Sequence, residues 1–186
     1  MIAAVVLAAG ESKRFGDAKQ LLLLDRVLEN VRAAKLDHVI VVLGAHAEEI
    51  RGAVRFGGER VVINEDFAQG MSTSIQAGLR ALPAEADAAM IVLGDQPFVD
   101  PATMDLLIDE YQRARPAAVA PTVDGRRGNP VIIDRALFGE LMGLRGDAGF
   151  RAIAARHAVL EVPVADRGVL LDVDTASDLA RVRELR

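Results

Sequence analysis

VVLAAGESKRFGDAKQ, residues 5–20, decides how this chain is read. An apolar run stops at Ala8-Ala9-Gly10, and a polar loop follows that carries Lys13, Arg14, Gly16 and Lys19. The run starts at residue 2 and is apolar throughout (IAAVVLAA). That is the pattern of a strand buried on both faces. No basic residue precedes it, so it does not read as a secretory signal. Small residues at a strand end, followed by spaced cations, need the rest of the chain to explain them.

Outward from this stretch, short apolar runs alternate with helical spacing. Val27, Leu28, Val31 and Ala34 predict a helix over 25–35, with Asp25 placed to cap it. HVIVVLG (38–44) predicts a second buried strand, a short helix near 46–53 follows, and RVVIN (60–64) predicts a third strand. A helix over 73–82 turns Ile75, Leu79 and Leu82 inward, and Thr73 with Gln76 has the capping-box spacing. AAMIVLG (88–94) is the next strand, and Asp100-Pro101 opens a further helix with Asp as cap and Pro in the first turn. AAVAPTV (117–123) and PVIID (130–134) are strands separated by DGRRGN. Two short helices broken near Gly146 fill 135–157, VLEVPV (159–164) and VLLDVD (169–174) are late strands, and Thr175 starts a last helix. The alternation predicts one α/β domain over 1–186 with a mostly parallel central sheet.

Composition narrows the function. The chain has 186 residues, 51% hydrophobic, with a net charge of −5 and only 4% aromatics. A nucleic-acid binder would be basic and supplied with stacking rings, so nucleic acid is not an expected partner. The absence of cysteine removes disulfides and thiolate chemistry. No run approaches the ~20 apolar residues that cross a bilayer, so no membrane is expected and the reading is a soluble, cytoplasmic protein. The three histidines, His38, His46 and His157, match no metal spacing.

In an open α/β sheet, ligands sit beyond the carboxyl ends of the strands. The segments there are AAGESKRFG, NEDFAQGMSTS, GDQP and DVDT, the polar, Gly-rich parts of the chain. The opening loop fails the P-loop pattern, because five residues separate Gly10 from Gly16 and Asp17 stands where the lysine belongs. It fails the dinucleotide fingerprint at Ser12. Two readings stay open: a looser nucleotide loop whose Arg14 and Lys19 neutralise phosphates, or a surface loop with solvated cations.

Read together, LAAGESKRFGDAKQLL (7–22), QGMSTSIQAGL (69–79), VLGDQPFV (92–99), GRRGNPV (125–131), LRGDAGFR (144–151) and LLDVDT (170–175) resemble the nucleotidyltransferases of molybdenum cofactor synthesis. LAAG, rather than LAGG, resembles the cytidylyltransferase branch. The resemblance implies a three-layer αβα, Rossmann-like (GT-A-like) fold. It implies nucleotide contacts from Leu7, Ala8, Ala9, Gly10, Asn64, Gly70, Met71, Ser72 and Ser74. Asp95 and Asp174 would hold Mg²⁺, with Mn²⁺ as the alternative, and Asp172 is a weaker metal candidate. Arg14, Lys19 and Asp95 form the implied catalytic set. Gln96, Arg127, Gly128, Asn129, Pro130 and Asp147 would face the acceptor, with Gly146 and Gly149 in the same motif.

Each assignment has a structural counterpart. Asp95 suits a turn cap, Asp174 a helix cap, Ser72 or Thr73 plain helix capping, and Arg126-Arg127 a tight exposed turn. The family pattern has more residues between its KxLL segment and the next helix, and shows GHP where this chain has Gly128-Asn129-Pro130. The implied partners are CTP and a molybdopterin-type cofactor, together with a molybdoenzyme or its maturation factor. Alternatives are a relative using GTP or a sugar or alcohol phosphate, a cofactor-binding maturation factor without turnover, and a Rossmann-type oxidoreductase.

Overall fold

The structure, a computed structural model, describes residues 1–10 and 17–173, with side chains for residues 1–10 and 23–173. Strand β1 (Ile2–Ala8) leads to α1 (Asp17–Ala33), β2 (His38–Leu43), α2 (Ala47–Ala53) and β3 (Arg60–Ile63). A 3-10 turn, Phe67–Gln69, precedes α3 (Met71–Arg80), followed by β4 (Ala88–Leu93) and α4 (Pro101–Ala114). Strands β5 (Ala118–Val123), β6 (Arg126–Arg127) and β7 (Val131–Asp134) come next. The chain continues through α5 (Phe138–Met142), α6 (Phe150–Ala154), β8 (Val159–Pro163) and a 3-10 turn at Arg167–Leu170.

The strands form one eight-stranded sheet in the order β3-β2-β1-β4-β7-β5-β6, with β8 paired to β5. The first four of that order run parallel, with Val5 of β1 in register with Ile40 of β2 and Ile91 of β4. β7 turns the direction against β4, and β5 restores it. Alternate residues of β1 feed opposite faces, as strand geometry requires. Ile2, Ala4 and Val6 pack with Leu24, Val27, Leu28 and Val31 of α1 and with Met104, Leu107 and Ile108 of α4. Ala3 and Val5 pack with Ile75 and Leu79 of α3, Leu141 of α5 and Ile153 of α6. Burying each such side chain contributes roughly 1.5–3 kcal/mol. Helices therefore cover both faces, and the expected three-layer α/β fold is present. No helix among the described residues is long and apolar enough to cross a membrane.

Three local expectations give way to tertiary contacts. The helix expected from residue 25 begins at Asp17, so Asp25 lies in the interior of α1 and caps nothing. The Thr73–Gln76 capping box does not form: α3 begins one residue after Gly70, and buried Gln76 donates through Nε2 to the Leu144 carbonyl at 2.9 Å. The late strand expected at 169–174 is instead, as far as residue 173, the 3-10 turn Arg167–Leu170 followed by residues outside the sheet, and residue 174 lies outside the described residues. Asp166 fixes that turn, accepting from the Gly168 N–H at 2.8 Å and from the Asp100 N–H at 2.8 Å. The Asp100 cap itself is as expected, with its carboxylate accepting from the Ala102 N–H at 2.8 Å.

Candidate active site

The parallel strands end along one edge, where β1 gives way to Ala9-Gly10, β3 to Asn64 and β4 to Gly94-Asp95-Gln96. The Gly94 N–H donates to the Leu7 carbonyl at 2.9 Å and the Ala45 N–H to the Ala9 carbonyl at 3.3 Å, so the strand ends are tied to one another beyond the sheet. Gly44 makes this possible: a Cβ there would stand 2.6 Å from the Ala9 oxygen and 2.7 Å from Phe67 Cβ.

Among the described residues, two cavities open at this edge. One, of about 400 Å³, lies over Leu7, Ala9 and Gly10, with Phe67, Ala68, Gly70, Met71 and Ser74 on one side and Asp95 on another. The second, of about 800 Å³, has an apolar wall of Ile75, Ile91, Val131, Ile133 and Phe150, and polar groups from Arg127, Asn129, Asp147, Arg151 and Asp172. Met71, Leu93 and Asp147 line both, so the cavities adjoin.

The wall between them is built across the chain. Gly70 has φ of 109°, a conformation open to glycine at little cost. A Cβ at Gly70 would meet the Gly146 carbonyl carbon at 2.3 Å. This close approach lets the 146–147 turn cap α3: the Ser72 N–H donates to the Gly146 carbonyl at 3.0 Å, and the Met71 N–H to Asp147 Oδ1 at 3.3 Å. Backbone N–H groups at a helix start lack internal partners, and here they receive them from a distant turn.

Most of the expected site residues converge. Leu7, Ala9, Gly10, Gly70, Ser74 and Asp95 line the smaller cavity; Arg127, Gly128 and Asn129 line the larger, and Met71 and Asp147 both. Others stand behind the walls. Ala8 packs against the core on the α1 face. Ser72 is buried, and among the described residues its hydroxyl has no hydrogen-bond partner. Asn64 is buried and donates to Thr73 Oγ1 at 2.9 Å and Ser74 Oγ at 3.0 Å. Gln96, 3% exposed, donates to Asp172 Oδ1 at 2.7 Å, and Pro130 is buried behind a cis Asn129-Pro130 bond. Arg127 reaches Glu161 Oε1 at 2.5 Å. Arg14 and Asp174 lie outside the described residues, as does the side chain of Lys19 on α1.

The sequence reading passed over Phe67, Phe150 and Arg151. The two phenylalanines carry no polar signal, and their placement depends on the sheet. Arg151 lies at the end of the LRGDAGFR motif.

For a divalent ion the fitting donor is the Asp95 carboxylate, at the end of a buried strand and inside the smaller cavity. Val173 is held beside it, its N–H donating to the Asp95 carbonyl at 3.0 Å. A hard cation such as Mg²⁺ or Mn²⁺ takes one or two carboxylates and fills its remaining positions with phosphate and water.

Residues 4–162 match the MobA-like NTP transferase domain. The chain belongs to this family. Two curated relatives align over nearly its whole length. Nicotine blue oxidoreductase from Paenarthrobacter nicotinovorans is 28% identical, over 97% of this chain and 96% of that protein. Molybdenum cofactor cytidylyltransferase from Escherichia coli K12 is 23% identical, over 97% and 94%. Among solved structures, Rv0371c from Mycobacterium tuberculosis H37Rv superposes with a TM-score of 0.87 at 36% identity, covering 98% of this chain and 97% of that one. The same protein has also been solved in complex with manganese, with a TM-score of 0.84 to this chain. This member of the MobA-like family is a nucleotidyltransferase by descent.

Proposed function

We propose that this MobA-like protein transfers CMP from CTP to the terminal phosphate of a molybdopterin-type acceptor, releasing pyrophosphate. The observation that carries the reading is the pair of adjoining cavities at the carboxyl edge of the sheet, joined through Met71, Leu93 and Asp147. A reaction between two phosphates needs two substrates side by side. The smaller cavity, floored by the small residues Ala9 and Gly10, suits the nucleotide. The larger, with an apolar wall and polar rim, suits a flat ring system carrying a phosphate.

The chemistry asks mainly for alignment and charge neutralisation. An acceptor phosphate oxygen attacks the α-phosphorus, and the bond to the β-phosphate breaks. Arg14 and Lys19 would take the leaving pyrophosphate, and Asp95 and Asp174 would hold the divalent ion. When bound, that ion neutralises charge on the phosphates as it shifts toward the leaving group. The cytidylyl assignment is supported by LAAG at 7–10 and by the Escherichia coli relative.

A second reading has its own support: the relative with 28% identity is named an oxidoreductase. In that case the smaller cavity takes a reduced nicotinamide nucleotide, which gives up hydride, and the larger an aromatic compound that accepts it. One experiment separates the two. Thermal stability is measured with Mn²⁺ or Mg²⁺ and each of CTP, GTP, ATP, UTP, NADH and NADPH. A ligand at ~100 times its dissociation constant adds about 2.7 kcal/mol to the folded state. A metal-dependent shift with CTP is expected. A shift with NADH or NADPH alone overturns the transferase reading in favour of the oxidoreductase, and a shift with GTP alone moves the protein to guanylyl transfer.

A further inference from the structure

We propose that Asn64 is a positioning residue that fixes the Ser74 hydroxyl as a hydrogen-bond donor into the smaller cavity, so that a nucleotide bound there presents an acceptor atom, a carbonyl or ring nitrogen of its base, to Ser74. The inference rests on the reading of that cavity as the nucleotide site.

The direction of every hydrogen bond in the cluster follows from the chemistry of its donors. The Asp66 backbone N–H can only donate, and it meets Asn64 Oδ1 at 3.1 Å, which fixes that atom as the oxygen. The Asn64 amide nitrogen therefore carries both hydrogens and gives one to Thr73 Oγ1 and one to Ser74 Oγ, at 2.9 and 3.0 Å. Each hydroxyl, having accepted, must send its own proton elsewhere. Thr73 has local acceptors, the Gly70 carbonyl at 2.9 Å and the Asp66 carbonyl at 3.1 Å. Ser74 meets no acceptor among the described residues, although it is 5% exposed. What it does line is the cavity. A buried hydroxyl that accepts one hydrogen bond and meets no acceptor among the described residues has its proton left for the cavity it lines. Asn64, itself 6% exposed, is shielded from the ligand and acts through Ser74.

The test is a double-mutant cycle on nucleotide affinity, measured by calorimetry with CTP and with GTP in Mn²⁺. Asn64→Asp keeps the acceptor for the Asp66 N–H and removes the hydrogens given to Ser74. The Ser74 proton then turns to the new carboxylate and away from the cavity. Loss of one hydrogen bond weakens binding by about tenfold. Asn64→Asp and Ser74→Ala are each expected to show that loss, and the double variant no further loss than Ser74→Ala alone. If Asn64→Asp weakens binding equally in the Ser74→Ala background, the effect is the added charge and the proposal is overturned. It is overturned as well if either single variant binds as the wild type does. Thermal denaturation of each variant without nucleotide checks folding, and Asn64→Ala replaces Asn64→Asp in the cycle if the latter is unfolded. Failure of the wild type to bind either nucleotide overturns the nucleotide reading of the cavity itself.

Discussion

Asp147 Oδ1 accepts from the Met71 N–H at 3.3 Å, joining the turn before α6 to the first turn of α3 across 76 residues. Asp147 thereby caps a helix that has no side-chain cap of its own. A lost cap costs about 1 kcal/mol, which for a chain of this size lowers the melting temperature by about 2–4 °C. Asp147→Ala should show this, and Asp147→Asn, which keeps an acceptor oxygen, should melt close to the wild type. Equal melting of Asp147→Ala and the wild type would show that the Gly146 carbonyl suffices to hold the turn.

Gln96 is buried, and its amide holds Asp172 on the wall of the larger cavity at 2.7 Å. A buried hydrogen bond to a charged partner is worth about 1.5–3 kcal/mol. Gln96→Leu fills similar space without the donor. Under the two-cavity reading it should raise the acceptor KM by about tenfold or more and leave the nucleotide KM unchanged. Steady-state kinetics with each substrate varied in turn makes the check, and equal changes in both would deny the separation of the cavities.

Asp95→Asn preserves shape and leaves the backbone carbonyl that receives the Val173 N–H. If the carboxylate holds the divalent ion, turnover should fall by about a hundredfold or more while the melting temperature is retained. Mn²⁺ titration of the folded variant should show weakened binding. Near-normal turnover would remove Asp95 from the metal site.

Tyr111 gives a prediction independent of function. It is fully buried and donates to Asp134 Oδ2 at 2.6 Å. Burial, reinforced by the Asp134 hydrogen bond and charge, pushes its phenol up to about 12. The ordinary value is about 10. A group raised in this way stabilises the fold fully below its unfolded value, and the stabilisation is lost as pH rises through the folded one. The wild type should therefore lose stability between pH ~10 and ~12. Tyr111→Phe should be less stable at neutral pH by about 1–3 kcal/mol and lack that alkaline component. Denaturant titrations at pH 7 to 11 make the comparison.

The sequence by itself determined the elements whose cause is local. Apolar runs such as IAAVVLA and AAMIVL bury on both faces wherever a parallel sheet forms, and β1 and β4 stand where their patterns put them. Asp100-Pro101 caps α4 through atoms two residues apart. Ala9-Gly10 and the carboxylate at 95 follow strand ends, so the edge where the smaller cavity opens was legible too. What the tertiary structure decided is which polar groups face a ligand and which hold the ones that do. Asn64 and Gln96 look like contact residues in a line of text, yet both lie buried behind the wall because Ser74 and Asp172 come to meet them. Gln76 leaves its expected cap for the Leu144 carbonyl, 68 residues away. The 169–174 run has a strand's pattern, but Asp166 and the Val169 carbonyl, which accepts from the Asn129 N–H at 2.9 Å, tie its first two residues into a turn. A hydrogen bond between distant residues leaves no period in the sequence. Its partner exists only once the sheet has brought the loops together.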